Sequence, residues 1–261
     1  MLEITILASG SSGNATLVRC GGTSVLIDAG ISTRRLIERL TACDIPITSL
    51  DGILLTHEHS DHCGALPVLL AKHHVPLFLN AHTARALTDS GVKQTGEWNI
   101  FSNGQTFLVK DLTVRPFSVP HDAADPVGFR LSSPVAHFGV LTDLGYPTRA
   151  VFDALTGIHG LLIETNHDEE MLQRDTRRPW SVKQRISSRH GHLSNSAAAR
   201  AVGELLNPGL KTVILGHLSK DCNSPEAAHQ TMFAELSRLG RPDVEIHCVV
   251  QGVSSPVFRF T

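Results

Sequence analysis

The segment Thr56-His57-Glu58-His59-Ser60-Asp61-His62 carries four metal-capable side chains within six positions. It follows the apolar run at 52–55, which reads as a short buried strand, and precedes 66–72, which suits a helix with Pro67 in its first turn. Residues two apart on an extended chain project to the same side, so His57 and His59 can address one ion. Asp61 and His62 fall where the chain turns into the helix and can address a second. Imidazole with carboxylate suits zinc, with manganese or iron as alternatives. Glu58 faces the other way and is not counted as a ligand.

Three further candidates end apolar runs: His121 after 114–120, Asp143 after 138–142 and His217 after 213–216. Each stands at the carboxyl end of a predicted strand, where α/β folds gather functional groups. Three protein ligands and an open position make a catalytic zinc site, whereas two ions about 4 Å apart need a bridging carboxylate and share one activated hydroxide. His190-Gly191-His192 imitates a ligand pair but lacks a following Asp-His, so both histidines read as substrate-facing or surface.

The elements that must hold these residues come in alternating blocks. Strand-like runs at 2–7, 16–20, 24–27 and 52–55 surround a helical segment at 33–40. A second strand-rich block covers 107–109, 112–119, 127–131 and 135–141. Strands at 160–163, 213–215 and 244–250 then alternate with helices at 169–174, 196–206 and 225–239, with Ser194 or Asn195 as an N-cap. The order predicts two mixed sheets packed face to face with helices outside, a four-layer αβ/βα sandwich forming one domain over residues 1–261.

Composition limits the alternatives. The 261 residues carry 23 Lys+Arg and 25 Asp+Glu, a formal net charge of -2, which argues against wholesale coating by nucleic acid but allows a local basic patch. At 41% hydrophobic residues the chain is neither disordered nor fibrous, and no apolar run has the length of a membrane span. The five cysteines form no CxxC pair and read as reduced and buried, while histidine, at 15 residues, is abundant. With no basic, apolar leader at Met1-Leu2-Glu3-Ile4, the expected location is the cytoplasm, and any metal is expected on histidine and carboxylate.

The pattern His57-x-His59-x-Asp61-His62 with later His121, Asp143 and His217 resembles the metallo-β-lactamase fold superfamily, in order and spacing, across nearly the whole chain. The resemblance implies that four-layer fold. It also implies two divalent ions: the first on His57, His59 and His121, the second on Asp61, His62 and His217, with Asp143 bridging. Asp28, in Leu26-Ile27-Asp28-Ala29-Gly30, matches the superfamily's early aspartate, which orients the metal loop.

Finer motifs narrow the reaction. Ala8-Ser9-Gly10-Ser11-Ser12-Gly13-Asn14, Glu164-Thr165-Asn166-His167-Asp168, His192-Leu193-Ser194-Asn195 and His217-Leu218-Ser219-Lys220 resemble the small stand-alone DNA exonucleases of this fold found beside a bacterial cell-wall-regulating two-component system. Asp221-Cys222-Asn223 and His190 depart from that pattern without touching a proposed ligand. The resemblance implies a phosphodiesterase acting on DNA, with 5′ polarity. Independently, Arg174, Arg177, Arg178, Lys183, Arg185 and Arg189 concentrate positive charge around Trp180, a stacking face for a base. In the expected mechanism Asp61 orients the attacking hydroxide, and His192 binds the phosphate or protonates the leaving oxygen, with His167 in reserve. Ser194 and Asn195, at a helix start, and Arg185 contact the substrate. The competing expectations are a small-molecule phosphodiester, ester or thioester hydrolase of the same fold, and a binding protein on a decayed site. Oligomeric state is left open.

Overall fold

The computed structural model describes residues 1–261. Its first half runs β1 (Leu2–Ala8), β2 (Ala15–Cys20), β3 (Thr23–Ile27), α1 (Thr33–Thr41), β4 (Gly52–Leu54), α2 (Ser60–Cys63), α3 (Leu66–Lys72), β5 (Leu77–Asn80), α4 (Ala81–Asp89) and β6 (Trp98–Phe101). The second half runs β7 (Phe107–Val109), β8 (Leu112–Ser118), β9 (Val127–Ser132), β10 (His137–Leu141), α5 (Arg149–Ala154), β11 (Gly160–Glu164), α6 (Glu169–Arg174), α7 (Trp180–Ile186), α8 (Asn195–Leu205), β12 (Thr212–Gly216), α9 (Pro225–Arg238), β13 (Glu245–Cys248) and β14 (Phe258–Phe260).

Two seven-stranded sheets result, in the orders β14-β1-β2-β3-β4-β5-β6 and β13-β12-β11-β10-β9-β8-β7. Strand alternation divides the core into three apolar layers. Ile4, Val25, Phe129, Phe138, Leu162 and Phe260 pack between the sheets. Leu26, Leu36 and Leu66 lie between the first sheet and its helices, and Leu161, Val202 and Met232 between the second sheet and its own. β11 and β12 are buried at every residue, as parallel strands covered on both faces must be. This is the four-layer sandwich expected from the sequence. No helix is long and apolar enough to cross a membrane.

Several elements have no counterpart in the sequence reading: β5, α4, β6, α5, α7 and β14. β6 is a sheet-edge strand with one buried residue, and α7 buries none, so neither writes a strong periodicity. β14 returns the chain's last residues to pair antiparallel with β1.

β3 and β4 run parallel, as do β10, β11 and β12, and β8 shares their direction through β9. Their carboxyl ends therefore meet along one rim. The sheets touch there through the Val127 N–H, which donates to the Thr56 carbonyl at 3.1 Å.

Candidate metal centre

Asp28 follows β3, the segment beginning at His57 follows β4, His121 follows β8, Asp143 follows β10, Glu164 ends β11 and His217 follows β12. Asp28, Asp143 and His217 hold φ of 61°, 52° and 54°. This left-handed backbone is uncommon outside glycine, with Asn, Asp and His its most frequent occupants.

All seven expected ligands converge. His57, His59 and His121 have donor atoms within 4.8 Å of one another, as do Asp61, His62 and His217, and as do His57, His62 and Asp143. Asp143 thus stands between the two histidine groups, 2.8 Å from His62 Nε2 and 3.9 Å from His121 Nε2. His57, His62, His121, Asp143 and His217 are buried, while the edge of Asp61 is open to a cavity of about 230 Å³.

Outer contacts fix the rings. Asp28 Oδ2 accepts from His62 Nδ1 at 2.7 Å, and its Oδ1 accepts from the Thr56 N–H at 2.9 Å. His121 Nδ1 donates to the Gly191 carbonyl at 3.0 Å. With Nδ1 engaged, Nε2 is left facing the cluster in both rings. The loop itself is clamped: the Asn14 N–H donates to the Asp61 carbonyl at 2.7 Å, and a Cβ on Gly30 would lie 1.6 Å from that oxygen.

The donors fit divalent ions. His57 Nε2 and His217 Nε2 are buried and make no hydrogen bond, a costly arrangement for a polar atom unless an ion takes it up. Histidine with carboxylate suits zinc, manganese or iron. Two groups sharing one carboxylate suit a pair of ions.

Electrostatics follow from the crowding. Burial opposes charge on His62, yet Asp143 and Asp28 push it well above its usual range. Burial likewise opposes charge on His217, but Asp143, Asp61 and Glu164 push it up to about 10. Burial would raise Asp143, and the His217 and His62 charges instead hold it well below the usual carboxylate range. His57 is pushed well below its ordinary value by burial first and then by the surrounding imidazoles.

Glu164 is the functional group that sequence reasoning missed. It is fully buried. Oε1 accepts from the N–H groups of Leu144 at 2.7 Å and Leu193 at 3.1 Å; Oε2 accepts from His192 Nδ1 at 3.0 Å and His217 Nδ1 at 3.3 Å. Burial would raise this carboxyl, but His192 and His217 bring it down to about 2. The signal was present: an acid ending an apolar strand, as with Asp143 and His217.

The remaining expectations separate. His192 lines the cavity, with Nδ1 on Glu164 and Nε2 left for a ligand. Arg185 also lines it, paired with Asp122 beside His121. His167 lines a neighbouring cavity. Ser194 and Asn195 do not line the metal-site cavity. Ser194 caps α8 by accepting from the Ala197 N–H, and Asn195 exchanges amide hydrogen bonds with Asn223 in the interior. In the structure their polar groups are taken up by the helix start and the interior. Cys63 packs, donating to the Glu58 carbonyl at 3.0 Å, and all five cysteines are free.

The basic segment is largely consumed. Arg177 and Arg178 pair with Asp175 and Asp221, Arg174 with Glu170 and Arg185 with Asp122. Only Lys183 and Arg189 of the six make no ion pair, and Arg189 lies over the Tyr146 ring.

Comparison with known proteins agrees with this geometry. A β-lactamase superfamily domain model matches residues 23–217. The exodeoxyribonuclease WalJ of Streptococcus pneumoniae is 38% identical over 239 residues, covering 90% of this chain and 88% of the relative. The exodeoxyribonuclease YycJ of Bacillus anthracis is 36% identical over 240 residues, covering 92% and 90%. Among solved structures, the metallo-β-lactamase fold protein YhfI of Bacillus subtilis superposes with a TM-score of 0.76 at 16% identity, covering 98% of this chain and all of that one, a likeness of fold.

Proposed function

The chain belongs to the metallo-β-lactamase superfamily, and from that footing we propose that it is a metal-dependent phosphodiesterase, a cytoplasmic exonuclease that shortens DNA from its 5′ end. The observation that carries the reading is the cavity in which two donor groups, sharing Asp143, adjoin the His192–Glu164 pair. The names of the relatives supply the nucleic acid.

His57, His59 and His121 would hold one ion, Asp61, His62 and His217 a second, and Asp143 would face both. Divalent ions, zinc foremost, supply an ionised water near neutral pH and neutralise charge on phosphate oxygens. Asp61, at the cavity edge, accepts a hydrogen bond from the nucleophile and turns its lone pair towards phosphorus. Burial disfavours a proton on His192, yet Glu164 and Asp143 override it and raise its pKa. That bias favours the imidazolium, the form that can protonate the leaving oxygen. Glu164 fixes its orientation. Arg185 binds a substrate phosphate from the cavity wall.

Both halves of this reading meet in one experiment: hydrolysis of end-labelled single- and double-stranded DNA by metal-analysed protein, with Asp61→Ala as control. Progressive shortening from the 5′ end, lost in the variant, is the expected result. Protein with two bound ions that leaves every strand intact refutes it. The second reading, hydrolysis of a small phosphodiester, is favoured by the ion pairs that neutralise most of the basic segment.

A further inference from the structure

A second cavity, of about 340 Å³, lies beside the metal-site cavity, with α7 between them. Val182, Arg185 and Ile186 line the first; Trp180, Lys183 and Gln184 line the second. The loop after β11 repeats the division, with Asn166 in the first and His167 in the second. One short helix and one pair of consecutive residues therefore join the two cavities.

The second cavity is built for a flat, neutral group. Trp180 is 68% exposed, an aromatic face presented to solvent, and Leu172 supplies buried aliphatic surface. A phosphate would find little there. Glu169 is a carboxylate, and the Lys183 ammonium already donates to the Gln173 carbonyl at 2.7 Å. A ring with polar edges would meet the Trp180 face together with the Gln184 amide, which can donate or accept. His167 stands in the same wall, buried, with Nδ1 lacking any partner.

We propose that this cavity is a stacking subsite for one unpaired base of the strand being cleaved. The inference rests on the nuclease reading above and adds a substrate requirement to it. A helix is about 10 Å across, so the stacked base lies a few nucleotides from the scissile phosphate rather than next to it. A base inserted beside Trp180 cannot also be paired, so the enzyme requires a single-stranded or frayed end. Stacking on an aromatic face tolerates any base, so the subsite adds affinity without sequence preference.

The test compares wild type with Trp180→Ala and Trp180→Phe. On single-stranded oligodeoxynucleotide, Trp180→Ala is expected to raise KM roughly 5- to 30-fold, in the lower part of the range for loss of one stacked base, with kcat nearly retained and Trp180→Phe restoring most of the loss. Scanning one abasic position along the oligonucleotide should reveal a single site, a few nucleotides from the cleaved end, where wild type and variant converge. In a Trp98→Phe background, which leaves Trp180 as the only tryptophan, metal-free protein should change emission on titration with the same oligonucleotide. A wild-type KM in Trp180→Ala, or unchanged Trp180 emission at saturation, overturns the proposal. Failure of the nuclease reading would appear separately, as absence of cleavage by wild type.

Discussion

Replacing Glu164 by glutamine tests the logic of the site most directly. The carboxylate is fully buried and uses all four of its acceptor positions: two on backbone N–H groups and two on imidazoles. Glutamine keeps the shape but offers one accepting oxygen. That oxygen must stay with the Leu144 and Leu193 N–H groups, because two unpaired buried donors would cost about 1–3 kcal/mol each. The amide nitrogen then faces His192 Nδ1 and His217 Nδ1, and both rings must shift their proton to Nε2. For His217 that is the nitrogen 3.5 Å from Asp61 and aimed at the donor cluster, so the ring ceases to be a ligand. For His192 the larger source of its raised proton affinity disappears, leaving only Asp143. Losing such an outer contact typically lowers metal affinity or turnover about 10- to 100-fold, or roughly 1.4–2.7 kcal/mol. Chelator competition for the metal, together with kcat on an oligonucleotide, would measure the two parts. Glu164→Ala should also lower Tm, by stranding the two N–H groups. A Glu164→Gln protein with wild-type metal content and turnover within about twofold would refute the reasoning.

Four further outcomes are expected. His192→Ala should keep its metal and its fold yet lose about 10²- to 10⁴-fold in kcat, the usual contribution of a positioned proton donor; loss of metal in that variant would move His192 into the ligand set. Zinc titrated into chelator-stripped protein in weak buffer at pH 7 should release about two to three protons: His62 and His217, whose proton affinity their carboxylate neighbours raise, must deprotonate to ligate, and a metal-bound water that ionises adds a third. With the His217 pKa raised, its contribution to metal-free stability is complete below about 6.5 and is lost as pH rises through about 10, so the stripped protein should weaken in alkali, measured by Tm against pH. Finally, with Arg174, Arg177 and Arg178 held in ion pairs and Arg185, at the cavity wall, and Arg189 left to face phosphates, the log–log salt dependence of single-strand binding should be shallow, near −1.4 from about two phosphates; a slope near −4 would show that the ion pairs open on binding.

The sequence disclosed the parts of the site that are local or that end a strand. His57, His59, Asp61 and His62 are neighbours in the chain, and His121, Asp143 and His217 each close an apolar run. Glu164 meets the same criterion but was read only as part of a motif, because its importance lies in partners 28 and 53 positions away. The basic segment was legible as charge, whereas its neutralisation depends on Asp122 and Asp221, which the fold brings from elsewhere. Ser194 and Asn195 look alike as helix-start residues, and only packing turns one into a cap and the other into an interior amide. The sheets were legible where strands are buried on both faces. The edge strand β6 and the exposed helix α7 were not, since what little they bury leaves no pattern.

The left-handed turns at Asp28, Asp143 and His217 also bear on how such a protein drifts over generations. Glutamate carries the same charge as aspartate, but at these strand ends it would bear more of the penalty, about 1–2 kcal/mol, that most side chains meet in this conformation. Asparagine tolerates it and, at Asp28, still offers an oxygen to the Thr56 N–H. The easiest substitutions at the rim are therefore the ones that silence the chemistry and spare the architecture. Descendants of such a chain would more readily become inert sandwiches than unfolded ones, leaving an intact scaffold on which another activity could begin.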